Sequence, residues 1–312
     1  MKEEGIERVA VIGAGLMGFG IAVEFARFGY QVSMYNTREE TSKRAMAQAK
    51  EALDLMAETK LITRDEASAA YARLRPTTDV ADAATGANFV LESVVELLAL
   101  KQEIFAKLDE LCPPPVILAT NTSILRVTDI ASATKHPERV VATHYFQPPH
   151  SVPLVEVARG EKTDRKIVEK AARMLRGMRK KVVIINVDLP GFIGNRIQGA
   201  IGQVVQSLID RGTCSPQTID DVISFGFGRR MAYTAYFKHQ DLIGLDFSYR
   251  MAKDHGVEPW KPIAEHVEKG ELGMETGKGF YDWPADTAKQ FQHRFHTELI
   301  RLMKQDMEAG LI

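Results

Sequence analysis

His144 and Glu156 are the two residues of this chain whose types and setting best suit proton transfer. Arg139–Ala142, with Val140 and Val141, reads as the start of a buried strand, and Leu154-Val155-Glu156-Val157-Ala158 reads as another. The stretch between them carries Pro148, Pro149 and Pro153 and predicts a bend. If the strands pair back on each other around it, side-chain alternation puts His144 and Glu156 on one face, close to directly opposite. An imidazole held by a carboxylate is a general base suited to neutral pH, because the carboxylate fixes the tautomer and stabilises the imidazolium. On its own the pair also reads as a structural histidine satisfied by a neighbour. Other segments tip the balance.

Those segments start at the N-terminal end. Val9-Ala10-Val11-Ile12, Gly13-Ala14-Gly15-Leu16-Met17-Gly18 and the helical spacing of Ile21, Phe25 and Phe28 form a strand, a glycine turn and a helix. This is the dinucleotide fingerprint: Gly13 permits the tight turn, Gly15 lets backbone amides approach a pyrophosphate, and Gly18 lets the helix pack on the sheet. Leu16 and Met17 fall in the same turn. The strand Gln31–Tyr35 ends at Asn36, where an acidic residue would bind the adenosine ribose. Asparagine hydrogen-bonds without repelling a 2′-phosphate, and Arg38 can pair with one, so NAD is favoured with NADP left open. Thr37 reads equally as a helix cap, with Glu40 completing a capping box.

Glu39 to Arg75 predicts a helical hairpin broken near Thr59–Thr63, restarted by a Thr63–Glu66 capping box and ended by Pro76. Lys60 falls at its tip, most simply as a surface lysine. Asn88–Ser93 and Val116–Thr120 are further strands, separated by the helix Leu98–Leu111. Ligands sit at strand ends in parallel sheets, which makes Glu96 and Ser123 candidates, each against the alternative of a polar loop. The helix Arg165–Met178 and the strand Lys181–Asn186 follow. Asp188 is expected to cap a helix with Pro190 in its first turn, and Asn195 lies inside that helix. Beyond it strand signals nearly vanish. The chain therefore divides into an α/β domain over 1–187, Rossmann-type and doubly wound with a mainly parallel sheet and an inserted helical hairpin, and an all-helical domain over 188–312.

At 312 residues the chain has room for two domains and a sizeable core. A formal net charge of −1 gives no global field for nucleic acid or an anionic membrane. Two cysteines far apart in sequence fit a reducing compartment, and none of the eight histidines has metal-site spacing. No metal is expected. Met1-Lys2-Glu3-Glu4-Gly5 has no apolar signal core and no run spans a bilayer, which predicts a cytoplasmic protein.

Several separated motifs in order carry a family resemblance: Gly13–Gly18, Leu91-Glu92-Ser93-Val94-Val95-Glu96 with Lys101, Ala119–Ser123, His144–Glu156, and Asp188–Arg196. Asp241–Asp246 and Thr276–Trp283 extend it downstream. Over nearly its whole length the chain resembles the 3-hydroxyacyl-CoA dehydrogenases. The resemblance implies oxidation of a 3-hydroxyacyl-CoA in fatty acid metabolism, with His144 as base, Glu156 as its partner, and Ser123 and Asn195 on the reacting oxygen. It places Glu96 and Lys101 at the cofactor and implies a homodimer through the helical domain. Gln147, Ala235-Tyr236-Phe237 and Asn36 depart from the family pattern, so a smaller substrate is the alternative: carnitine, gulonate or a pyridine carboxylate bearing an aldehyde. In that reading Arg229 or Arg230 would meet a substrate carboxylate, against a structural role for either. A non-catalytic dinucleotide-binding protein is the second alternative, since fold alone does not set function.

Overall fold

The computed structural model describes residues 3–312; Met1 and Lys2, at the head of the stretch read for a signal core, lie outside the described residues. The chain forms two compact units, residues 1–201 and 202–312. The first contains, in order, β1 (Arg8–Ile12), α1 (Gly18–Arg27), β2 (Gln31–Tyr35), α2 (Glu39–Glu58), α3 (Arg64–Tyr71), β3 (Leu74–Thr77) and α4 (Val80–Ala84). It continues with β4 (Phe89–Glu92), α5 (Leu98–Leu111), β5 (Ile117–Thr120), α6 (Val127–Ala131), β6 (Val140–Tyr145), β7 (Leu154–Arg159), α7 (Arg165–Gly177) and β8 (Lys181–Ile185). Then α8 (Gly194–Asp210) begins.

The strands form one sheet in the order β3-β2-β1-β4-β5-β6-β7-β8. Pairing is parallel throughout except between β6 and β7. The central strands read as unbroken apolar runs because helices cover both faces. In β1, Val9 and Val11 feed the core formed with α1, α2, α3 and α7, while Ala10 and Ile12 feed the core under α4, α5 and α6. Emptying one such position, Phe25 for example, would cost about 3–5 kcal/mol. The strand order reverses direction beside β1, which opens a crevice at the carboxyl ends of β1 and β4 where ligands of this architecture bind. The doubly wound sheet with its inserted hairpin is the expected fold.

Three local expectations are corrected. The helical hairpin ends at Tyr71 and Pro76 belongs to β3, paired with Met34; at a sheet edge a proline without an N–H is tolerated. The cap of α2 is Arg38, not Thr37, and the Arg38 side chain makes no capping hydrogen bond. Asp188 does not start a helix. Its carboxylate accepts from the amides of Val127 and Thr128, each at 2.9 Å, at the head of α6. The helix is delayed to Gly194 because Gly191 and Phe192 take left-handed backbone, φ +72° and +45°. The two compact units divide inside α8, whose first residues bond the Glu156 carboxylate of β7 and the Ser123 carbonyl.

The second unit is helical, with α9 (Pro216–Asp221), α10 (Gly228–Thr234), α11 (Phe237–Ile243), α12 (Leu245–Asp254), α13 (Lys261–Glu268) and α14 (Ala285–Glu308). Ser215 caps α9 by accepting from Thr218 N. Arg229 is engaged within this unit by Asp306 and by the Ser224 carbonyl. No helix among the described residues is long and apolar enough to cross a membrane.

Candidate active site

The β6–β7 register sets His144 directly against Glu156. Nδ1 of the imidazole lies 2.9 Å from Glu156 Oε2, and both side chains are buried. A carboxylate only accepts, so Nδ1 carries the hydrogen, and in the neutral ring the lone pair is then on Nε2. Nε2 makes no hydrogen bond among the described residues, and His144 lines a cavity of about 1160 Å³. Phe146 and Phe192 flank the ring at 4.7 and 5.5 Å between centroids. The second Glu156 oxygen accepts from the backbone amides of Ile193 (3.1 Å) and Gly194 (2.9 Å), where α8 begins. Burial pushes the Glu156 carboxyl up, but the bonds from His144, Gly194 and Ile193 outweigh it and hold the group below its ordinary value.

Ser123 sits in the turn after β5, and that turn is built on Glu96. Glu96 Oε1 accepts from Thr122 Oγ1 and from the amides of Ser123 (3.1 Å) and Ile124 (3.2 Å). Burial opposes ionisation of Glu96, yet Thr122, Lys101 and the Ile124 amide bring its carboxyl below the usual range. Lys101 is wholly buried and absent from the cavity wall. Its Nζ lies 2.7 Å from Glu92 Oε1 and 3.3 Å from Glu96 Oε2. Asn195, one residue into α8, donates from Nδ2 to the Ser123 carbonyl at 2.9 Å. One amide hydrogen is thereby engaged and one is left.

The same cavity is lined by Gly13, Gly15, Leu16, Met17, Asn36 and Thr37. Gly13 holds φ +95°, and a Cβ on Gly18 would stand 2.0 Å from the Gly13 carbonyl oxygen. Nothing lies within 4 Å of where a Gly15 Cβ would be, so the turn leaves open space at Gly15, just before α1. That open glycine turn at a helix start fits a pyrophosphate. Asn36 is buried, while Arg38 is exposed and off the cavity wall.

Of the expected site residues, Gly13, Gly15, Leu16, Met17, Asn36, Thr37, Glu96, Ser123, His144 and Asn195 share one cavity. Glu156 stands behind His144, Gly18 packs under the glycine turn, and Arg38 and Lys101 stand off the wall. Sequence reasoning missed Asn121. Its Oδ1 accepts from Tyr145 N at 2.9 Å and its Nδ2 donates to Ser93 Oγ at 3.2 Å, which ties the ends of β4, β5 and β6 together. It also missed the α5 stripe of Leu100, Glu103, Ile104 and Lys107 on the wall, whose helical spacing was the available signal. Among the described residues no group of three or more His, Cys, Asp or Glu is arranged to hold a metal ion.

A doubly wound sheet, a glycine turn opening on a cavity, and a carboxylate-braced histidine on the same wall define the class of dinucleotide-dependent dehydrogenases. The family model for "3-hydroxyacyl-CoA dehydrogenase, NAD binding domain" matches residues 8–188, and that for "3-hydroxyacyl-CoA dehydrogenase, C-terminal domain" matches residues 191–283. The chain belongs to the 3-hydroxyacyl-CoA dehydrogenase family, as its motifs implied, and is an oxidoreductase with a nicotinamide dinucleotide as cofactor. It is 33% identical over 91% of its length to a probable 3-hydroxybutyryl-CoA dehydrogenase of Bacillus subtilis, covering 99% of that protein. It is 30% identical over 96% of its length to a 5-formyl-3-hydroxy-2-methylpyridine 4-carboxylate 5-dehydrogenase of Mesorhizobium japonicum, covering 98% of it. Among solved structures, a 3-hydroxyacyl-CoA dehydrogenase of Archaeoglobus fulgidus matches with a TM-score of 0.77 and 29% identity, over 98% of this chain and all (100%) of that one.

Proposed function

We propose that the chain catalyses the reversible NAD-dependent oxidation of a 3-hydroxyacyl-CoA to the 3-ketoacyl-CoA, with His144 as general base in that direction and general acid in reduction. The observation that carries this reading is the buried His144–Glu156 pair, whose one unengaged ring nitrogen belongs to a residue of the cavity wall. In the proposed step, Nε2 takes the proton of the substrate hydroxyl. The charge that develops on the ring is balanced by Glu156, which stays ionised because the Gly194 and Ile193 amides hold its other oxygen. Ser123 and the remaining Asn195 N–H orient the reacting oxygen, and Glu96 fixes the turn that presents Ser123. When bound, the nicotinamide supplies the acceptor for the hydride leaving the carbinol carbon. The turn Gly13–Gly18 would hold its pyrophosphate, with Asn36 and Thr37 for the adenosine ribose; NADP is the alternative that Asn36 and Arg38 leave open. Lys101 serves the cofactor end through Glu96 and Glu92.

A second reading, a dehydrogenase of a small non-CoA hydroxy acid or aldehyde, is favoured by the likeness to the pyridine-carboxylate enzyme, which extends to a solved structure at 27% identity and a TM-score of 0.72. Oxidation of NADH and of NADPH should be followed separately with acetoacetyl-CoA. Turnover is expected; none with either cofactor, despite cofactor binding, would remove the CoA reading, and a panel of carnitine, gulonate and pyridine-aldehyde substrates then decides the second. We further propose a cytoplasmic homodimer through the helical unit. Exposed apolar side chains there, including Phe247, Met251, Val257 and Ile300, support it, and light scattering giving a monomer mass would refute it.

A further inference from the structure

Behind the catalytic strand lies a buried cation that takes no part in the chemistry above. Lys180, just before β8, is buried, and its Nζ sits 2.8 Å from Glu24 Oε2 on α1. The same Nζ donates to the carbonyls of Pro149 (2.6 Å) and Val152 (3.1 Å). All three of its hydrogens thus have an acceptor. Both carbonyls belong to the bend between β6 and β7, whose first residues, Phe146 and Gln147, line the His144 cavity. The next backbone amide, Lys181 N, donates to the Pro153 carbonyl at 2.8 Å.

The bend is held from a second side. Pro149 and His150 press so closely on Gly20 of α1 that a Cβ there would stand 2.7 Å from His150 Nδ1. The His150 ring also meets Phe19 at 5.8 Å between centroids. Helix α1, which starts at the glycine turn, therefore grips the bend directly at Gly20 and, one turn later, through Glu24 and Lys180. Burying two charges is expensive, and an apolar pair of similar volume would join α1 to β8 as well or better. What an apolar pair cannot do is bond two carbonyls of the bend at once.

We infer that Lys180 is a positioning residue for His144: by pinning the bend to α1 it sets the Phe146 side of the imidazole's slot and keeps the ring aimed at the cavity. Glu24 balances the charge that this requires. The inference rests on the dehydrogenase reading of His144. Two variants separate positioning from stability. Lys180→Met removes the carbonyl bonds and takes from the buried Glu24 carboxylate one of its two cations, leaving Arg27 at 2.9 Å, so both Tm and kcat should fall. In the double variant Glu24→Gln/Lys180→Met the buried carboxylate is gone as well, Arg27 stays within reach of water, and Tm should recover part of the loss while the bend stays unpinned.

Assayed per folded protein with NADH and acetoacetyl-CoA, below the transition of both variants, each should lose about ten- to a hundredfold in kcat while the Kd for NADH moves less than about threefold. Wild-type kcat in the double variant would overturn the inference and leave the pair a purely structural contact. The nitrogen NMR signals of the His144 ring, titrated without substrate, give a readout independent of turnover. Altered ring signals in both variants are expected, and unchanged ones would overturn the positioning role. A wild-type protein inactive on all substrates would instead sink the dehydrogenase reading, with the ring signals still testing the pin.

Discussion

Two buried carboxylates, one in each compact unit, use similar bonds for different ends. Glu156 accepts from the His144 ring and from two backbone amides. Asp241, in α11, accepts from Phe280 N (2.9 Å), Tyr281 N (3.0 Å) and the Trp283 indole (2.8 Å). Both are almost fully buried. Every partner of Asp241 is a donor that ends there, and Gly279 packs so close that a Cβ would lie 2.2 Å from Asp241 Oδ1. Glu156 has one partner with a second valence: the far nitrogen of the His144 ring is unengaged, on a residue that lines the cavity. Burial and full hydrogen bonding stabilise a carboxylate in either place; in the proposed function, an unengaged ring nitrogen on a residue of the cavity wall is what turns one of them toward catalysis.

The contrast can be broken most severely at the ring. His144→Ala should lower kcat by about three orders of magnitude while the NADH Kd changes less than about twofold, measured by steady-state kinetics and fluorescence titration. Equal activity would refute the base assignment. Asp241→Ala should do the opposite, losing about 3 kcal/mol of stability in urea denaturation because three donors lose their acceptor, with NADH affinity retained. A large loss of NADH binding in that variant would show that Asp241 is more than a structural knot.

Glu156→Gln keeps the size of the side chain but lets an amide face Nδ1 and removes the countercharge. A kcat loss of about a hundredfold is expected, smaller than for His144→Ala. The smallest effect is on acid stability. Because the folded Glu156 carboxyl is held below its ordinary value of 4.5, its contribution is present above that value and is lost as pH falls through the lower folded value. Denaturation midpoints of the wild type and Glu156→Gln should therefore differ at neutral pH and converge on acidification. A gap that persists in strong acid would mean that packing, not ionisation, sets the difference.

Much of the first unit was legible because its signals are local. The glycine turn, the apolar strand runs and the Thr63–Glu66 box involve residues a few positions apart; in the box, Glu66 N to Thr63 Oγ1 is 3.1 Å and Thr63 N to Glu66 Oε2 is 2.7 Å. The His144–Glu156 pairing was legible for the same reason, as alternation carried round one bend leaves little freedom. Asp188 was misread because a helix cap and a carboxylate bonding a distant helix look alike in a linear chain. Pro76 was misread because its tolerance depends on β3 lying at a sheet edge, which only the strand order reveals.

By itself, then, the sequence determined the repeating patterns: which apolar runs are strands, where the dinucleotide turn lies, and that an acid stands opposite a histidine. Only the tertiary structure decided which charges those patterns bring together: Lys101 with Glu92 and Glu96, Asn195 with the Ser123 carbonyl, and Glu24 with Lys180 under the bend. The physical reason is reach. Side-chain alternation and capping act over a few residues, whereas a buried charge takes whichever partner the packed sheet and helices deliver, however far away it lies in the chain.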